Sequence, residues 1–251
     1  MPFLKAAVQF WDPSYKGFSF NKKDLTPTIE EYSILLGINL QYPDKMYNRA
    51  SKITLVSKLF KIIKKSGDAN FSTVQKGRWE CILWGLLRSY ILKHLDDDSG
   101  IDAYALAIYG LIVFPVVLGH IEKHVVDLVE QIKNQKVNPV PAILAETFRS
   151  LNFCRQNGDA RFIGCGPLLY IWLRSHLGCG KGVFTKPFRN DALPIQEFCQ
   201  VEWPILDSRE EWVYQFANLT DEQVNWMAPW MPGAPVLYRC GNEEWVPLLG
   251  P

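Results

Sequence analysis

The chain has 251 residues, of which 48% are hydrophobic and 13% aromatic, and its formal net charge at pH 7 is +1. This composition excludes an intrinsically disordered chain, which would have fewer aromatic residues and a charge further from zero. The near-neutral charge also excludes a bulk field that would attract nucleic acid or an anionic membrane, so any such contact requires a local patch.

The first twenty residues predict a small β-hairpin. The run AAVQFW precedes a DPSYKG turn, and GFSF follows it. Short aromatic runs on either side of such a turn are typical of paired strands. We expect their aromatic side chains to cover one side of the core.

The next segment, 24-DLTPTIEEYSILLG-37, predicts a short helix that is capped at both ends. The Thr28 hydroxyl can accept from the backbone N–H of Glu31, and the Glu31 carboxylate can reach back to the N–H of Thr28. This reciprocal pair is a capping box. The Thr-Pro step just before Thr28 is a competing start, with proline at the first helical position. Gly37 predicts the end of the helix, because glycine takes the left-handed conformation without penalty.

A basic segment follows, and 51-SKITLVSKLFKIIKK-65 within it predicts a helix. Its apolar stripe consists of Leu55, Leu59 and Ile63. Seven basic residues and no acidic residue lie between positions 45 and 65: Lys45, Arg49, Lys52, Lys58, Lys61, Lys64 and Lys65. Lys58, Lys61 and Lys65 share the face opposite the apolar stripe and are the candidate contact for nucleic acid or another polyanion. An ordinary solvated helix face is the alternative interpretation.

Two apolar segments come next. The spacing in 79-WECILWGLLRSYIL-92 predicts an amphipathic helix, and the acidic run at 96–98 predicts a solvated loop. The 17 uncharged residues at 103–119 predict a central helix that is buried on all sides and ends where Phe114 meets Pro115. Their number is close to the ~20 residues that span a bilayer. Proline, glycine and tyrosine within the segment favour a core helix, and we expect no membrane contact.

The remaining sequence predicts further helices joined by short turns. The pattern indicates one helix from His120 to about Lys133, one from Pro141 closed by Asn157-Gly158, one from Gly166-Pro167 closed by Gly178, capping boxes at Ser208/Glu211 and Thr220/Gln223, and a second hairpin at 236–249. No strand–helix–strand alternation is visible. We therefore predict one mainly α domain over residues 1–251, with small peripheral β-hairpins near the N- and C-termini.

The sequence contains no convincing catalytic or ligand-binding motif. The glycine-rich run 178-GCGKG-182 follows a helix and lacks the Ser/Thr of a phosphate loop, so a helix cap is the favoured interpretation. His120 and His124 are expected one turn apart on one helix face, without the further ligands that zinc requires. His94 and His176 have no cysteine at metal spacing. We expect no catalytic, cofactor-binding or metal-binding residue.

The cysteines and the N-terminus bear on localisation. Six cysteines are scattered without a CxxC pair. Secreted disulfide frameworks occur in shorter chains with clustered cysteines, so we expect reduced thiols in a cytosolic or nuclear protein. The N-terminal residues do not have the pattern of a signal peptide.

An ordered set of segments resembles the plant mobile domain family, in the branch found among transposon-related plant genes. The segments are 10-FWDPSYKGFSF-20, 26-TPTIEEYSILLG-37, 104-YALAIYGLIVFP-115, 141-PAILAETFRSLNFCR-155, 161-RFIGCGPLLYIWLRSH-176, 226-WMAPW-230 and 238-YRCGNEEWVPLLG-250. The likeness covers nearly the whole chain in consistent order. In the relatives the segment like 245–250 runs on, so we expect a truncated element copy or a trimmed chain.

The resemblance implies a nuclear, non-enzymatic role in transposon silencing and control of gene expression. It also implies a protein partner of the phosphoprotein-phosphatase type. The label "aminotransferase-like" is attached to the family, but this sequence has no lysine motif or phosphate loop that supports it. The leading hypothesis is a transposon-derived interaction domain. Direct nucleic-acid binding by the basic 45–65 region is the first alternative, and a cryptic enzyme is the second.

Overall fold

A computed structural model describes residues 1–38, 74–76, 79–158, 160–177, 194–200, 206–228 and 230–231. In these ranges the protein is mainly α, with two small three-stranded antiparallel sheets, which confirms the predicted mainly α class. In chain order the elements are α1 (Pro2–Ala7), a 3-10 turn (Val8–Phe10), β1 (Trp11–Asp12), β2 (Gly17–Phe20), β3 (Lys23–Leu25), α2 (Ile29–Leu35), β4 (Val74–Lys76), β5 (Trp79–Leu83), α3 (Trp84–Lys93), α4 (Asp98–Ile108), a π-helical turn (Tyr109–Val113), β6 (His120–Glu122), α5 (Lys123–Gln135), α6 (Val140–Asn157), α7 (Gly166–His176), α8 (Pro194–Gln200), α9 (Arg209–Ala217) and a 3-10 turn (Asp221–Gln223).

The backbone divides into two compact units. Unit 1 consists of Met1–Gln41, Thr147–Phe162 and Gly166–Pro251, and unit 2 consists of Tyr42–Glu146 and Ile163–Cys165. The boundary falls inside α6, whose residues up to Glu146 belong to unit 2. The single domain expected over residues 1–251 stays a prediction.

In unit 1, the N-terminal sheet has the strand order β1–β2–β3. Trp11 lies opposite Phe18, and Phe18 lies opposite Leu25, so these three buried side chains point to the same face. The first strand is shorter than the AAVQFW run suggested, because residues 2–7 form α1. Proline at the first helical position and two alanines in the last turn favour a helix there.

Helix α1 packs against α9 through aromatic contacts at Phe3. The ring of Phe3 meets those of Tyr170, Trp212 and Phe216 edge-on, with centroids 4.9, 4.9 and 5.3 Å away. Edge-to-face geometry places the positive ring edge on a negative ring face and adds to the gain from burial. The core of unit 1 is therefore largely aromatic.

In unit 2, a β4–β5–β6 sheet takes up residues that the sequence assigned to helices. Residues Trp79–Leu83 are strand β5, and the helix starts only at Trp84. His120–Glu122 is strand β6, paired with β5, so the helix expected from His120 begins at Lys123. Both helices are present, but both predicted starts were wrong for the same reason: a short apolar run fits a strand and a helix, and the pairing partner decides.

The uncharged segment is helical and ends at Phe114, immediately before Pro115, as predicted. The prediction that it is buried on all sides was wrong. Leu106 is fully buried, whereas Tyr104 and Ile112 are 58% and 46% exposed. In the described ranges no helix combines the length and the apolar character that a bilayer crossing requires.

Several predicted helix boundaries are confirmed. The helix from Pro141 runs through Arg155 and ends at Asn157, and Gly158 follows with a positive φ of 62°. Ser208 and Glu211 form the capping box of α9, and the Thr220/Gln223 pair heads a 3-10 turn. The predictions for 51–65, 178–182 and 236–249 lie outside the described residues.

Candidate functional site

The candidate polyanion contact consists of Lys58, Lys61 and Lys65. These residues lie outside the described ranges, so the contact stays a prediction. Within the described part of unit 1, a cluster of buried polar side chains at α2 and α7 is the most prominent chemical feature. It consists of Thr28, Glu31, Trp172, Ser175, His176 and Asn225. All but Asn225 are buried.

The cluster begins with the helix cap that the sequence predicts. The backbone N–H of Glu31 donates to Thr28 Oγ1 at 3.2 Å, and the N–H of Thr28 donates to Glu31 Oε2 at 3.2 Å. This confirms the capping box. Unlike a surface cap, Glu31 is only 3% exposed. A carboxylate in that position must satisfy its remaining acceptor sites inside the protein.

Two residues of α7 fill those sites. The indole Nε1 of Trp172 donates to Glu31 Oε2 at 2.9 Å, and the Nε2 atom of His176 lies 2.9 Å from Glu31 Oε1. Trp172 and His176 are four residues apart and therefore on the same face of α7. Both have zero exposure. The N3 glutamate of one helix thus joins α2 to α7.

The second nitrogen of His176 fixes its protonation pattern. Nδ1 lies 2.7 Å from the carbonyl oxygen of Asn225, and a carbonyl can only accept. We therefore assign a proton to Nδ1. A further proton lies between Nε2 and Glu31 Oε1, as an ion pair or as its neutral, proton-transferred form. In both forms each ring nitrogen of His176 has a hydrogen-bond partner.

Asn225 also closes the C-terminal end of α7. Its Nδ2 donates to the Ser175 carbonyl at 3.1 Å, and its backbone N–H donates to the His176 carbonyl at 2.9 Å. Trp230 Nε1 donates to Ser175 Oγ at 3.0 Å. The last carbonyls of a helix have no intrahelical partner, and here segment 224–225 supplies one. The polar cluster therefore ties three separate stretches of the chain together.

A buried arginine on α7, Arg174, is enclosed by aromatic rings. The guanidinium carbon of Arg174 lies 4.5 Å from the centroid of Trp212, 4.6 Å from that of Phe3 and 5.3 Å from that of Tyr170. Its Nε donates to Tyr170 Oη at 3.2 Å. Such cages usually bind an external cation. In this protein the cage is filled by the chain's own arginine, which is 3% exposed.

In unit 2, the acidic run has a structural role beyond that of a solvated loop. Asp97 caps α4, accepting from Ser99 Oγ at 2.5 Å, from the N–H of Gly100 at 2.9 Å and, as the partner of His94 Nδ1, at 2.7 Å. The Ser99 hydrogen bond above all, then those from His94 and Gly100, lowers the pKa of Asp97 to about 2. The run is exposed, as expected, but its central member holds a helix start.

The four histidines lie in or next to four different elements. His120 lies in a strand and His124 in the first turn of α5, so the predicted shared helix face does not exist. Within the described ranges no three His, Cys, Asp or Glu side chains converge as metal ligands. Burial raises the pKa of the Cys154 thiol, whose Sγ donates to the Ala160 carbonyl at 3.4 Å, so this thiol is a poor nucleophile.

Chemically, the Glu31–His176 pair has the composition of an acid–base dyad, because imidazole and carboxylate can exchange a proton. It does not have the accessibility of one, since both residues are closed to solvent and both face structural partners. Sequence reasoning found the Thr28–Glu31 half and missed the other half. One local signal was present: a histidine and a tryptophan one turn apart on a helix rich in apolar residues require buried polar partners.

Comparison with known proteins identifies a family but no activity. No curated protein and no solved structure matches the chain significantly. A family model described as "Domain of unknown function (DUF7745)" matches residues 1–251, the whole sequence. The chain therefore belongs to the DUF7745 family.

Proposed function

We propose that the chain is a non-enzymatic, transposon-derived interaction domain that acts in the nucleus. Its role is to join protein complexes that silence transposons and control gene expression. The resemblance to the plant mobile domain family supports this assignment of process and compartment. The burial of the Glu31–His176 pair and the exposed hydrophobic side chains support a role in binding and not in catalysis.

The observation that carries the proposal is the closure of the Glu31–His176 pair. A general acid or base must bring a titrating atom within hydrogen-bond reach of a substrate. His176 has zero exposure, and its two nitrogens are directed at Glu31 and at the Asn225 carbonyl. Glu31 Oε2 receives bonds from Thr28 and Trp172. The Glu31–His176 pair thus joins α2 to α7.

The surface supports a role in binding. Of 13 large hydrophobic side chains that are exposed in the described part of the chain, six lie between Leu92 and Leu118. Scattered exposed apolar residues need no explanation, whereas a concentration of them marks an interaction surface.

The test is an affinity purification of the tagged chain from plant nuclei, with and without nuclease. We expect protein partners to remain after nuclease treatment, a phosphoprotein phosphatase among them. In parallel, purified protein is assayed against phosphoester, amino-group and peptide substrates. Turnover that a single substitution such as His176→Gln abolishes, while the far-ultraviolet circular dichroism stays unchanged, would refute the non-enzymatic assignment.

Direct binding of DNA or RNA is the second candidate, and the seven basic residues between Lys45 and Lys65 favour it. Contacts to phosphates release counterions, so binding by these residues weakens as salt rises. Replacing Lys58, Lys61 and Lys65 by glutamate should abolish such binding and flatten its salt dependence. Unchanged binding by this triple variant would dismiss the second candidate.

A further inference from the structure

Helix α4 and the π-helical turn that follows it present an apolar stripe to solvent. Ile101, Tyr104, Ile108 and Ile112 follow one another at i, i+3, i+7 and i+11, which places them on one face. Ile101, Tyr104 and Ile112 are 62%, 58% and 46% exposed, and Ile108 is half-buried. We call these four residues the α4 stripe. At a rise of 1.5 Å per residue it is about 16 Å long, or three helical turns.

The helix that carries the α4 stripe packs against the rest of unit 2. The opposite side of the same helix is buried through Ala103, Leu106 and Ala107. At the π-helical turn a Cβ on Gly110 would lie 2.5 Å from Ile121 Cγ1, so the helix and strand β6 are already at closest approach. π-helical turns of this kind occur frequently at functional sites. The stripe is therefore exposed although the helix that carries it is packed on its other side.

Exposed apolar side chains also occur on the neighbouring helix and in the turn that follows it. Helix α3 packs against α4, and its C-terminal end contributes Leu92, which is 59% exposed. Leu95, in the turn between the two helices, is 62% exposed. Two neighbouring helices form a groove in which the side-chain ridges of a third helix can pack.

Most charges on the elements that form this surface are acidic and lie where the stripe begins. The charged residues of α3, of the turn after it and of α4 are Arg88, Lys93, Asp96, Asp97, Asp98 and Asp102, which gives 2 − 4 = −2. Asp102 is paired with Lys133 at 2.7 Å, and Asp97 caps α4. Asp96 and Asp98 are exposed where the stripe begins, and no charge occurs from Ala103 to Gly119.

We propose that the α4 stripe, with Leu92 and Leu95, is the docking site for an amphipathic helix of a partner protein that carries lysine or arginine at one end. This inference rests on the proposed role as an interaction domain and specifies the chemistry of the partner. Apolar residues at i, i+3 or i+4 and i+7 of the bound helix match the three turns of the stripe. Its basic end meets the aspartates, which guide orientation and association rate.

Charge complementarity favours a basic helix over two other candidates for this surface, an anionic membrane and a second copy of the chain. An anionic membrane surface would be repelled by the acidic end. A second copy of the chain would place like stripe on like stripe and leave the aspartates without a basic partner. Both are outcomes of the test below.

The test uses the full chain and a display library of helical peptides of about 16 residues, which at 1.5 Å per residue are about 24 Å long and therefore span the whole stripe. We expect the enriched peptides to carry apolar residues at helical spacing and a net positive charge at one end. Binding of a fluorescein-labelled enriched peptide is then measured by anisotropy. The double substitution Ile101→Ser with Tyr104→Ser should weaken it at least about tenfold, because central apolar anchors dominate such interfaces.

Two controls make the result specific. Tyr214→Ser removes an aromatic residue that is 68% exposed on α9 and should leave the affinity unchanged. Asp96→Asn with Asp98→Asn should weaken binding about two- to fivefold at low salt, and the difference should vanish near 0.5 M salt, where exposed charges are screened. Enrichment of acidic or uncharged peptides, equal binding to the Ile101/Tyr104 variant, or no enrichment at all would overturn the proposal.

Sedimentation tests for a second copy of the chain on the stripe, and vesicle binding tests for a membrane surface. A dimer that the Ile101/Tyr104 substitutions dissociate would assign the stripe to a second copy, and binding to phosphatidylserine vesicles that they abolish would assign it to membrane. Either result overturns the proposal. In the purification from nuclei, partners retained equally by the wild type and this variant refute the docking site alone. A wild type that retains no protein after nuclease treatment refutes the interaction domain itself.

Discussion

Replacing Glu31 by alanine is the sharpest test of how unit 1 is held together. The substitution removes three things at once: the carboxylate that accepts from the backbone N–H of Thr28 in the capping box of α2, the acceptor for Trp172 Nε1 and the partner of His176 Nε2. Trp172 and His176 have zero exposure, so water cannot replace the lost carboxylate without opening the core.

The expected cost follows from these contacts. The capping-box hydrogen bond from the Thr28 N–H to the Glu31 carboxylate contributes about 1 kcal/mol. Each buried polar group that loses its partner costs about 1–3 kcal/mol. With two such groups, Glu31→Ala should lower the free energy of unfolding by about 3–7 kcal/mol, a large part of the 5–15 kcal/mol that is typical of folded proteins.

The measurement is urea denaturation, followed by tryptophan fluorescence and circular dichroism. For an m-value of about 2 kcal/mol per molar urea, the midpoint should fall by about 1.5–3.5 M. The matched control is Glu211→Ala on α9. Glu211 has the same capping-box position in the same unit but is exposed, so only its hydrogen bond with the Ser208 N–H is lost, at about 1 kcal/mol.

A second variant separates hydrogen bonding from charge. In Glu31→Gln the amide oxygen can still accept from Trp172, and the amide N–H can donate to Nε2 of a neutral His176. This variant should therefore retain much of the stability that Glu31→Ala loses. The reasoning fails if Glu31→Ala costs no more than Glu211→Ala, or if Glu31→Gln and Glu31→Ala are equally destabilised.

Three further predictions concern other parts of the fold. Gly110→Ala should destabilise unit 2 by about 1–3 kcal/mol, because its Cβ would meet the Ile121 side chain, whereas Gly85→Ala in α3 has open space and should be neutral or slightly stabilising in the same urea titration. Arg174→Lys should cost about 2 kcal/mol, because an ammonium cannot stack on the surrounding rings as the planar guanidinium does; an unchanged urea midpoint would contradict this. Since the pKa of Asp97 is lowered from 3.8 to about 2, its contribution should be complete above about pH 4 and disappear as the pH falls towards 2; the stability difference between wild type and Asp97→Ala should shrink over that range, and a constant difference would contradict it.

The sequence by itself determined the features that depend on neighbours within a few residues. Thr28 and Glu31 are three positions apart, and their capping box follows from backbone geometry alone. Pro115 ends the uncharged helix because its ring excludes the helical conformation of the residue before it. Asn157-Gly158 ends α6 because glycine accepts a positive φ. Such signals do not require any knowledge of distant partners.

Only the tertiary structure decided the features that depend on distant partners. Trp79–Leu83 became a strand because β4 and β6 supply hydrogen bonds on both sides, although its apolar spacing also suits a helix. Tyr104 became exposed because the buried side of its helix faces the rest of unit 2, and composition alone does not specify which side that is. Glu31 meets Trp172 and His176 across 141 and 145 positions of sequence. A carboxylate at a helix start has the same local sequence whether it faces water or the core, and only folding brings the indole and imidazole donors to it.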